Sequence, residues 1–434
     1  MNFYDTEKIL ALLERRGYTR ANSPQEADFI AVNTCSVRQH AEDRALAFLS
    51  SNIPLGRQGK FLCLFGCTAN LYGKDALKKH KYIDIVCGAG NYERLPGIFD
   101  SAKRKVCITG EENYPFIDTP VSGGDNISEF VTVTKGCENF CSYCVVPFTR
   151  GKLVSKRPHS IYCEIEELVK RGVKEIILLG QNVNEYRGDD STSFVELLEK
   201  IHGINGILRL WFLTSHPKDI PDELLASFGR LAGLYKHLHL PLQSGSDRIL
   251  KLMNRKYTLE RYFEIINRLR KMTPDIAITS DIIAGFPSET EEDFQKTLSS
   301  VKTIGFDDLF VFKYSERPGT AAAKMDDDVP LKEKELRHRT ILALQEEISL
   351  KQNMRFIGKT DSVFVLKRSS KRKGFFMGRS SSNKSVLFES RGSHPGSLET
   401  VVFNHADRRY LFGRSSRGYE KQISGLPQQG GCSL

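Results

Sequence analysis

Three cysteines stand close together in the segment GCENFCSYCVVPFTRG. Cys137, Cys141 and Cys144 have the spacing Cys-x3-Cys-x2-Cys. A cysteine used only for packing behaves as a small isolated hydrophobic residue, so three thiols at this spacing indicate one shared soft-metal centre. A zinc site completed by a histidine is the alternative, but His159 lies farther along the chain than the usual zinc spacings allow. The spacing therefore favours an iron–sulfur cluster over zinc.

The number of ligands indicates what such a cluster does. A four-iron cube held by four cysteines has no free iron, whereas three cysteines leave one iron able to bind a further ligand. In radical enzymes that ligand is S-adenosylmethionine, and the cofactor rather than a side chain carries the radical chemistry. We therefore expect a [4Fe-4S] cluster at Cys137, Cys141 and Cys144 that binds S-adenosylmethionine.

The composition is that of an ordinary globular protein. The 434 residues suit two or three domains, with 40% hydrophobic and 27% charged residues. There is no apolar run of about eighteen residues and no pattern of a signal peptide. We expect a cytoplasmic protein without a membrane partner. In that compartment the ten cysteines are expected to be thiols or metal ligands rather than disulfides.

The positive charge is confined to one part of the chain. Residues 355–434 contain 15 Lys or Arg and 5 Asp or Glu, which accounts for the whole net charge of +10. A basic module on a neutral body predicts a polyanionic partner, and we favour nucleic acid. The alternative is a basic surface that only aids solubility.

The first hundred residues alternate helical and strand patterns. Two of the predicted strands end at Cys35 and Cys67. Ligand sites of open α/β sheets lie at the carboxyl ends of the strands, so these two cysteines are expected to face each other there. Cys63 and Cys87 lie inside apolar strand runs and are expected to be buried thiols.

Residues 128 to about 315 contain six strand–helix repeats, and a linker is predicted at 107–126. Such repeats predict parallel strands with right-handed crossovers, here a partial barrel whose functional face lies at the carboxyl ends of its strands. Gln181, Gln243 and Ser244 stand at predicted strand ends and are our candidates for contacts to S-adenosylmethionine.

The last third of the chain begins with a long helical pattern at 331–357, which is expected to pack across the barrel or link domains; coiled-coil pairing is the alternative. Five short strands with turn signals between them follow, and they predict a small antiparallel barrel. Basic residues stand beside aromatic ones there, for example Arg372 near Phe375. Small barrels of this kind bind nucleic acid through backbone charge and base stacking.

Taken together, these motifs resemble one family, the radical S-adenosylmethionine methylthiotransferases. Within it, VVPFTRG and LLGQNVNEYRG make the chain most similar to the tRNA-2-methylthio-N(6)-dimethylallyladenosine synthases. The similarity covers residues 1 to about 418. The matching segments are NTCSVR, FGCTAN, GCENFCSYCVVPFTRG, LLGQNVNEYRG, LTSHP, HLPLQSGSDRIL, SDIIAGFPSET and YSERPGTAA.

The resemblance implies an α/β protein of three domains. They are an N-terminal α/β methylthiotransferase domain at 1–106, a partial (β/α)6 radical domain at 123–353 and a small RNA-binding barrel of the TRAM type at 355–418. It also implies two [4Fe-4S] clusters. Cys137, Cys141 and Cys144 match the ligands of the radical cluster, and Cys35 and Cys67 match two of the three ligands of an auxiliary cluster.

The resemblance further implies the reaction and the partners. The substrate is the tRNA anticodon loop, in which N(6)-dimethylallyladenosine is converted to its 2-methylthio derivative. An electron donor such as flavodoxin or ferredoxin and a sulfur donor are also implied. The alternatives are methylthiolation of threonylcarbamoyladenosine in tRNA, methylthiolation of a ribosomal protein, or a non-catalytic RNA-binding protein with a defective auxiliary cluster. The complete set of three cysteines at 137–144 argues against the last.

The chain departs from the family at its start. The third auxiliary ligand of the family lies in a Gly-Cys-Gln-Met-Asn segment, and this chain begins at Met1 and Asn2, the last two residues of that segment. Either the start was assigned too late or the ligand is truly missing, and we expect the first.

Overall fold

A computed structural model describes residues 1–110, 116 and 126–416 of the chain. Most of the linker predicted at 107–126, and the last two residues of the third predicted domain, lie outside these ranges. Within the described ranges, no helix combines the length and apolar character needed to cross a membrane.

The N-terminal unit is a four-stranded parallel sheet with helices around it, which we call the N-terminal sheet. Its strands are hydrogen-bonded in chain order, as the sequence predicts for an open α/β sheet. The strands are β1 (Phe29–Thr34), β2 (Phe61–Gly66), β3 (Ile85–Gly88) and β4 (Val106–Ile108). The helices are α1 (Asn2–Glu14), α2 (Gln39–Ser51), α3 (Ile53–Arg57), α4 (Cys67–Lys79) and α5 (Leu95–Ser101). Cys63 and Cys87 are fully buried in β2 and β3, which confirms that prediction.

The middle of the chain forms the central barrel. Its strands, in chain order, are β5 (Ser128–Thr132), β6 (Thr134–Lys135), β7 (Val154–Ser155), β8 (Glu175–Leu179), β9 (Arg209–Phe212), β10 (His237–His239), β11 (Ala277–Ala284) and β12 (Asp308–Lys313). The helices are α6 (Val146–Arg150), α7 (Pro158–Lys170), α8 (Phe194–His202), α9 (Asp222–Arg230), α10 (Asp247–Leu252), α11 (Leu259–Met272), α12 (Glu291–Ile304) and α13 (Leu331–Met354).

The six predicted barrel strands are all present and parallel. Strands β5, β8 and β9 form one sheet, and β10, β11 and β12 form a second. A parallel bridge between Leu210 and Leu234 joins the two sheets into an open, six-stranded partial barrel. Helix–strand alternation produces this arrangement because each helix lays its apolar face on the sheet before the next parallel strand begins. The predicted partial (β/α)6 barrel is therefore confirmed.

The C-terminal unit is a closed five-stranded barrel, which we call the C-terminal barrel. Its strands are β13 (Thr360–Arg368), β14 (Phe375–Arg379), β15 (Ser385–Glu389), β16 (Leu398–Ala406) and β17 (Leu411–Ser415). The prediction of a barrel is confirmed, but not every pairing is antiparallel, because β15 pairs with β17 in parallel. The reason is geometric: five strands that close on themselves cannot all alternate in direction, so one pair must be parallel.

The N-terminal and C-terminal units contact opposite ends of the central barrel. The C-terminal barrel docks where β8 and β9 begin: Arg379 lies 3.2 Å from Glu175, and Arg209 donates to the backbone oxygen of Ser362 at 2.8 Å. Helix α13 packs along β12, as expected of a helix that packs across the barrel. At the opposite end, Arg317, which follows β12, donates to the side chain of Gln39 and to the backbone oxygen of Val37, so the carboxyl end of this strand faces the N-terminal unit.

Candidate active site

The loop from Cys137 to Cys144, here called the cysteine loop, follows β6 at the carboxyl end of the barrel. Helix α10 and the turn after it hold the loop in place. The backbone nitrogen of Ser142 donates to Met253 at 3.0 Å and its hydroxyl donates to Leu252 at 2.9 Å. Asn254 donates its side-chain amide to the backbone oxygen of Phe140 at 2.8 Å. The loop therefore keeps its shape through contacts to a distant part of the sequence.

Two of the predicted ligands are preceded by a glycine that the backbone requires. Gly66 has φ +92 and Gly136 has φ +76, values at which only glycine is unstrained. A Cβ atom on Gly136 would also lie 1.9 Å from the backbone oxygen of Lys152. Glycine thus permits the sharp turns that direct Cys67 and Cys137 out of their strands.

The sulfur atoms of the cysteine loop receive hydrogen bonds from neighbouring side chains. Arg255, only 8% exposed, donates to the Cys141 sulfur at 3.4 Å, and Asn139 donates to the Cys137 sulfur at 3.5 Å. Burial raises the pKa of the Cys137 thiol and raises that of Cys144 to about 12. Without a metal these two thiols stay protonated at neutral pH, so iron binding would release protons.

The described residues contain no group of three His, Cys, Asp or Glu side chains arranged to hold one metal ion. A four-iron cube does not need such a group, because each of its cysteines binds a different iron.

Among the described residues, buried polar atoms without a hydrogen-bond partner lie at both ends of the barrel, and several of them stand at the carboxyl ends of its strands. Those at the carboxyl ends belong to Thr134, Asn182, Ser215, His216 and Tyr314. A buried polar atom is costly unless a partner satisfies it. A ligand rich in amino, carboxylate and hydroxyl groups would satisfy them, so this end of the barrel fits S-adenosylmethionine.

The three predicted contacts to S-adenosylmethionine differ in their surroundings. Gln181 accepts a hydrogen bond from the backbone nitrogen of Gly136 at 2.8 Å, next to the cysteine loop. Gln243 adopts a left-handed φ of +72 at the end of β10, where only 7% of it is exposed. Ser244 is fully buried, and its hydroxyl is engaged with Thr297 and the backbone nitrogen of Ser246. That the three bind the cofactor stays a prediction.

Cys35 and Cys67 stand at the carboxyl ends of β1 and β2, and we call them the paired-cysteine site. Burial raises the pKa of the Cys35 thiol, and the charge of the neighbouring Cys67 raises it further, so the two cysteines lie within electrostatic range of each other. The Cys35 sulfur accepts a hydrogen bond from the backbone nitrogen of Val37 at 3.3 Å.

Unsatisfied polar atoms also surround the paired-cysteine site. Ser36, Thr68 and Asn91 follow the ends of β1, β2 and β3, and each is at least 98% buried. Their side chains have polar atoms without a hydrogen-bond partner among the described residues, and for Asn91 this holds for both amide atoms. A polar group at the paired-cysteine site would satisfy several of them, while the two cysteines supply two of the three ligands that the resemblance implies for a second cluster.

A buried arginine of the central barrel was not predicted from the sequence. Arg150 ends α6, six residues after Cys144, and its Nε donates to the Cys67 sulfur at 3.0 Å. The sequence feature that could have singled out Arg150 is its place in VVPFTRG, directly after the cysteine loop. Its partner could not be found that way, because Cys67 lies 83 residues earlier in the chain.

Family models match both cysteine regions. The model of the Radical SAM superfamily matches residues 131–301, which include the cysteine loop. The model of the Uncharacterized protein family UPF0004 matches residues 1–88, which include the paired-cysteine site.

Solved structures share the fold at low sequence identity. The radical S-adenosylmethionine methyltransferase TsrM from Kitasatospora setae, with tryptophan substrate and a SAM analogue bound, superposes with a TM-score of 0.54. That match has 15% identity and covers 72% of this chain and 70% of TsrM. TsrM with cobalamin and a [4Fe-4S] cluster bound also gives a TM-score of 0.54 at 14% identity, and the match covers 74% of this chain and 70% of TsrM.

Curated relatives are far more similar and span nearly the whole chain. Proteins named tRNA-2-methylthio-N(6)-dimethylallyladenosine synthase include one from Thermodesulfovibrio yellowstonii, 43% identical over 89% of this chain and 90% of its own. Another, from Syntrophus aciditrophicus, is 43% identical over 94% of this chain and 90% of its own. A third, from Parabacteroides distasonis, is 40% identical over 95% of this chain and 93% of its own. With two cysteine sites at one junction and this likeness along its length, the chain belongs to the family of the tRNA-2-methylthio-N(6)-dimethylallyladenosine synthases.

Proposed function

We propose that this protein is a tRNA methylthiotransferase that converts N(6)-dimethylallyladenosine next to the anticodon into its 2-methylthio derivative. The observation that carries the proposal is that α6, the helix that follows the cysteine loop, contacts the paired-cysteine site. The cysteine loop leads directly into Arg150, whose side chain contacts Cys67 of the other site at 3.0 Å. A reaction that needs a radical and a sulfur group in one place requires such a junction.

The chemistry explains why side chains alone are insufficient. The hydrogen on carbon 2 of adenine is not acidic, so a general base could not activate that position. Cys137, Cys141 and Cys144 would hold a [4Fe-4S] cluster that, with S-adenosylmethionine bound, would supply a 5′-deoxyadenosyl radical. Cys35 and Cys67, together with a third ligand, would hold a second cluster that would supply the methylthio group. The protein then has to bind and align the substrate and S-adenosylmethionine, and to exclude water from them.

Residues around the cysteine loop are suited to those tasks. Arg255 links the Cys141 sulfur to the backbone oxygen of Pro241, at 3.4 and 2.9 Å, and so ties the loop to the end of β10. Tyr143 packs against an apolar cluster that includes Phe286 and Tyr314 and keeps water from that side. Gln181 holds the backbone nitrogen of Gly136 and fixes the start of the loop.

We also propose the three domains at 1–106, 123–353 and 355–418. The sheets of the central barrel and the strands of the C-terminal barrel fall within the second and third ranges, which supports those bounds. Strand β4 of the N-terminal sheet (Val106–Ile108) extends two residues beyond the first range. The first two domains supply the cysteine sites, and the third would bind tRNA. An electron donor such as flavodoxin or ferredoxin, a sulfur donor and a cytoplasmic location complete the proposal.

A groove on the C-terminal barrel supports binding of RNA there. The cavity is about 320 Å³ and is lined by Phe375, His405 and Phe412, with Arg372 and an Arg414–Glu389 ion pair of 3.3 Å beside them. The His405 and Phe412 rings are 5.2 Å apart, and the Arg372 guanidinium lies 5.7 Å from the Phe375 ring. Aromatic rings flanked by arginine can stack unpaired bases and neutralise phosphates, as an anticodon loop requires.

Substitutions in this groove are expected to weaken tRNA binding without disturbing the clusters. Phe375→Ala should reduce affinity by about 5- to 150-fold, since base stacking contributes about 1–3 kcal/mol. Arg372→Ala should flatten the salt dependence of binding by about one unit of slope, because one phosphate contact is lost. Binding of tRNA at several salt concentrations measures both effects.

The control is Arg391→Ala, which removes an exposed arginine of the same barrel outside the groove. Point substitutions are preferable to deletion of the barrel, because deletion would leave the buried Glu175 without Arg379. Wild-type affinity and salt slope in both groove variants would contradict the RNA role of this groove.

The proposed function is tested on tRNA from cells that lack the modification. The reconstituted protein with S-adenosylmethionine, a reductant and sulfide should convert tRNA carrying dimethylallyladenosine, and leave tRNA with unmodified adenosine unchanged. Mass spectrometry of the digested nucleosides detects the methylthio product. Equal conversion of unmodified tRNA, or modification of another nucleoside, would contradict the proposed substrate.

A further inference from the structure

The two sheets of the central barrel differ in what covers their inner faces. On β5, β8 and β9, helix α1 lies over the inner face, and its Tyr4 packs in one apolar cluster with Leu179. On β10, β11 and β12, the inner face is partly open within the described ranges: the Asp281 side chain is 26% exposed and Phe310 is 45% exposed. Leu309, the neighbour of Phe310 in β12, points the other way and is buried in the main core. One half of the barrel interior is therefore filled and the other is accessible.

Polar and aromatic side chains share the open half, which we call the inner aromatic face (His239, Asp281, Phe310 and Phe312). Asp281 and Phe310 are paired in register on β11 and β12, and the His239 ring lies 6.0 Å from the Phe310 ring. His239 also lies 3.6 Å from the Asp281 carboxylate and 3.0 Å from the Thr279 hydroxyl. A hydrogen-bonding edge thus stands beside apolar rings, which is the combination that a purine with an apolar substituent requires.

The inner aromatic face lies between the two cysteine sites. Phe312 is paired in register with Ile283, and Ile283 belongs to the apolar cluster against which Tyr143 of the cysteine loop packs. From the other side, Arg38, three residues after Cys35, places its guanidinium 5.1 Å from the Phe312 ring. A base held on this face would stand between the cysteine loop and the turn that carries Cys35.

We propose that the inner aromatic face is the pocket that selects dimethylallyladenosine, an inference that rests on the proposed function. The rings of Phe310 and Phe312 pack on the branched dimethylallyl group, and Arg38 closes the pocket on the side of the paired-cysteine site. The Asp281 carboxylate accepts the hydrogen bond of the remaining N6–H of the adenine. A threonylcarbamoyl group is charged, and placing it against two phenyl rings would cost its hydration, so the pocket disfavours it.

The test measures binding of anticodon stem-loops to the reconstituted full chain with S-adenosylmethionine and without reductant, so that no turnover occurs. The loops carry dimethylallyladenosine, adenosine or threonylcarbamoyladenosine at the same position. The wild-type protein should prefer the dimethylallyl loop to the other two by about 10- to 200-fold, the range that apolar pockets give for small apolar groups. Phe310→Ala should lose most of this preference yet bind the adenosine loop with wild-type affinity. Phe310→Leu keeps an apolar side chain and should lie between the two.

Asp281→Ala separates recognition of the base from recognition of its substituent. It should weaken the dimethylallyl and adenosine loops by a similar factor of about tenfold, because both bases offer an N6–H to the carboxylate. Asp281→Asn keeps an acceptor oxygen and should restore part of the affinity. Phe48→Ala is the matched control, because Phe48 is a phenylalanine of α2 with a similar exposed fraction, 43%. It should change neither the affinity nor the preference.

The outcomes distinguish the inference from the proposed function. An unchanged preference in Phe310→Ala, or equal weakening of all three loops by that variant, overturns the inference and leaves the proposed function intact. A wild-type protein without the preference also overturns the inference. If that protein, once reduced, also fails to methylthiolate the dimethylallyl loop, the proposed function is overturned as well.

Discussion

Cys141→Ala is expected to abolish cleavage of S-adenosylmethionine. Two thiolates would remain in the cysteine loop, and a cube held by two loses iron. Arg255 would also lose the sulfur that it contacts at 3.4 Å, which leaves part of a buried guanidinium unsatisfied. After anaerobic reconstitution, 5′-deoxyadenosine should fall to background, and bound iron should drop by about four per chain, the content of one cube.

Cys163→Ala is the control for that experiment. Cys163 is exposed on α7, 3.6 Å from the His159 ring and outside both cysteine sites. Its removal should leave iron content and deoxyadenosine formation unchanged. Deoxyadenosine at the wild-type rate from Cys141→Ala would show that the cysteine loop does not hold the radical cluster.

Cys67→Ala is expected to separate the two half-reactions. The cysteine loop does not include Cys67, so deoxyadenosine should still form. Methylthiolated tRNA should fall to background, because the paired-cysteine site would lose a ligand and the partner of Arg150. The ratio of methylthiolated tRNA to deoxyadenosine, measured by mass spectrometry in one reaction, checks the separation.

Cys107→Ala is the matched control in the same sheet. Cys107 lies in β4, and its sulfur contacts the Thr109 hydroxyl at 3.8 Å. Its removal should keep the wild-type ratio. Parallel loss of both products in Cys67→Ala would mean that the two sites do not act separately.

Local patterns were enough to predict most of the fold. The six barrel strands were found because each apolar run is followed by an amphipathic helix, and the chain order alone then implies parallel pairing. The burial of Cys63 and Cys87 followed from the strands around them. The parallel contact of β15 with β17 was missed because it depends on how five strands close, which no single strand pattern encodes.

The candidate site was only partly predictable, for a related reason. Spacing placed three cysteines in one loop, and strand ends placed Cys35 beside Cys67, because both relations are local or follow from a parallel sheet. Arg150 and Arg317 act across units, so their partners appear only when the chain has folded. Ser244 shows that a position at a predicted strand end does not identify a ligand contact. Its hydroxyl bonds to Thr297 on α12 instead.

The central claim is that this protein removes the hydrogen from carbon 2 of dimethylallyladenosine in tRNA and puts a methylthio group in its place. The most direct measurement uses tRNA with deuterium at that carbon. We predict that 5′-deoxyadenosine gains the deuterium while the same nucleoside gains the methylthio group. Methylthiolated tRNA formed together with 5′-deoxyadenosine that contains no deuterium would contradict the claim.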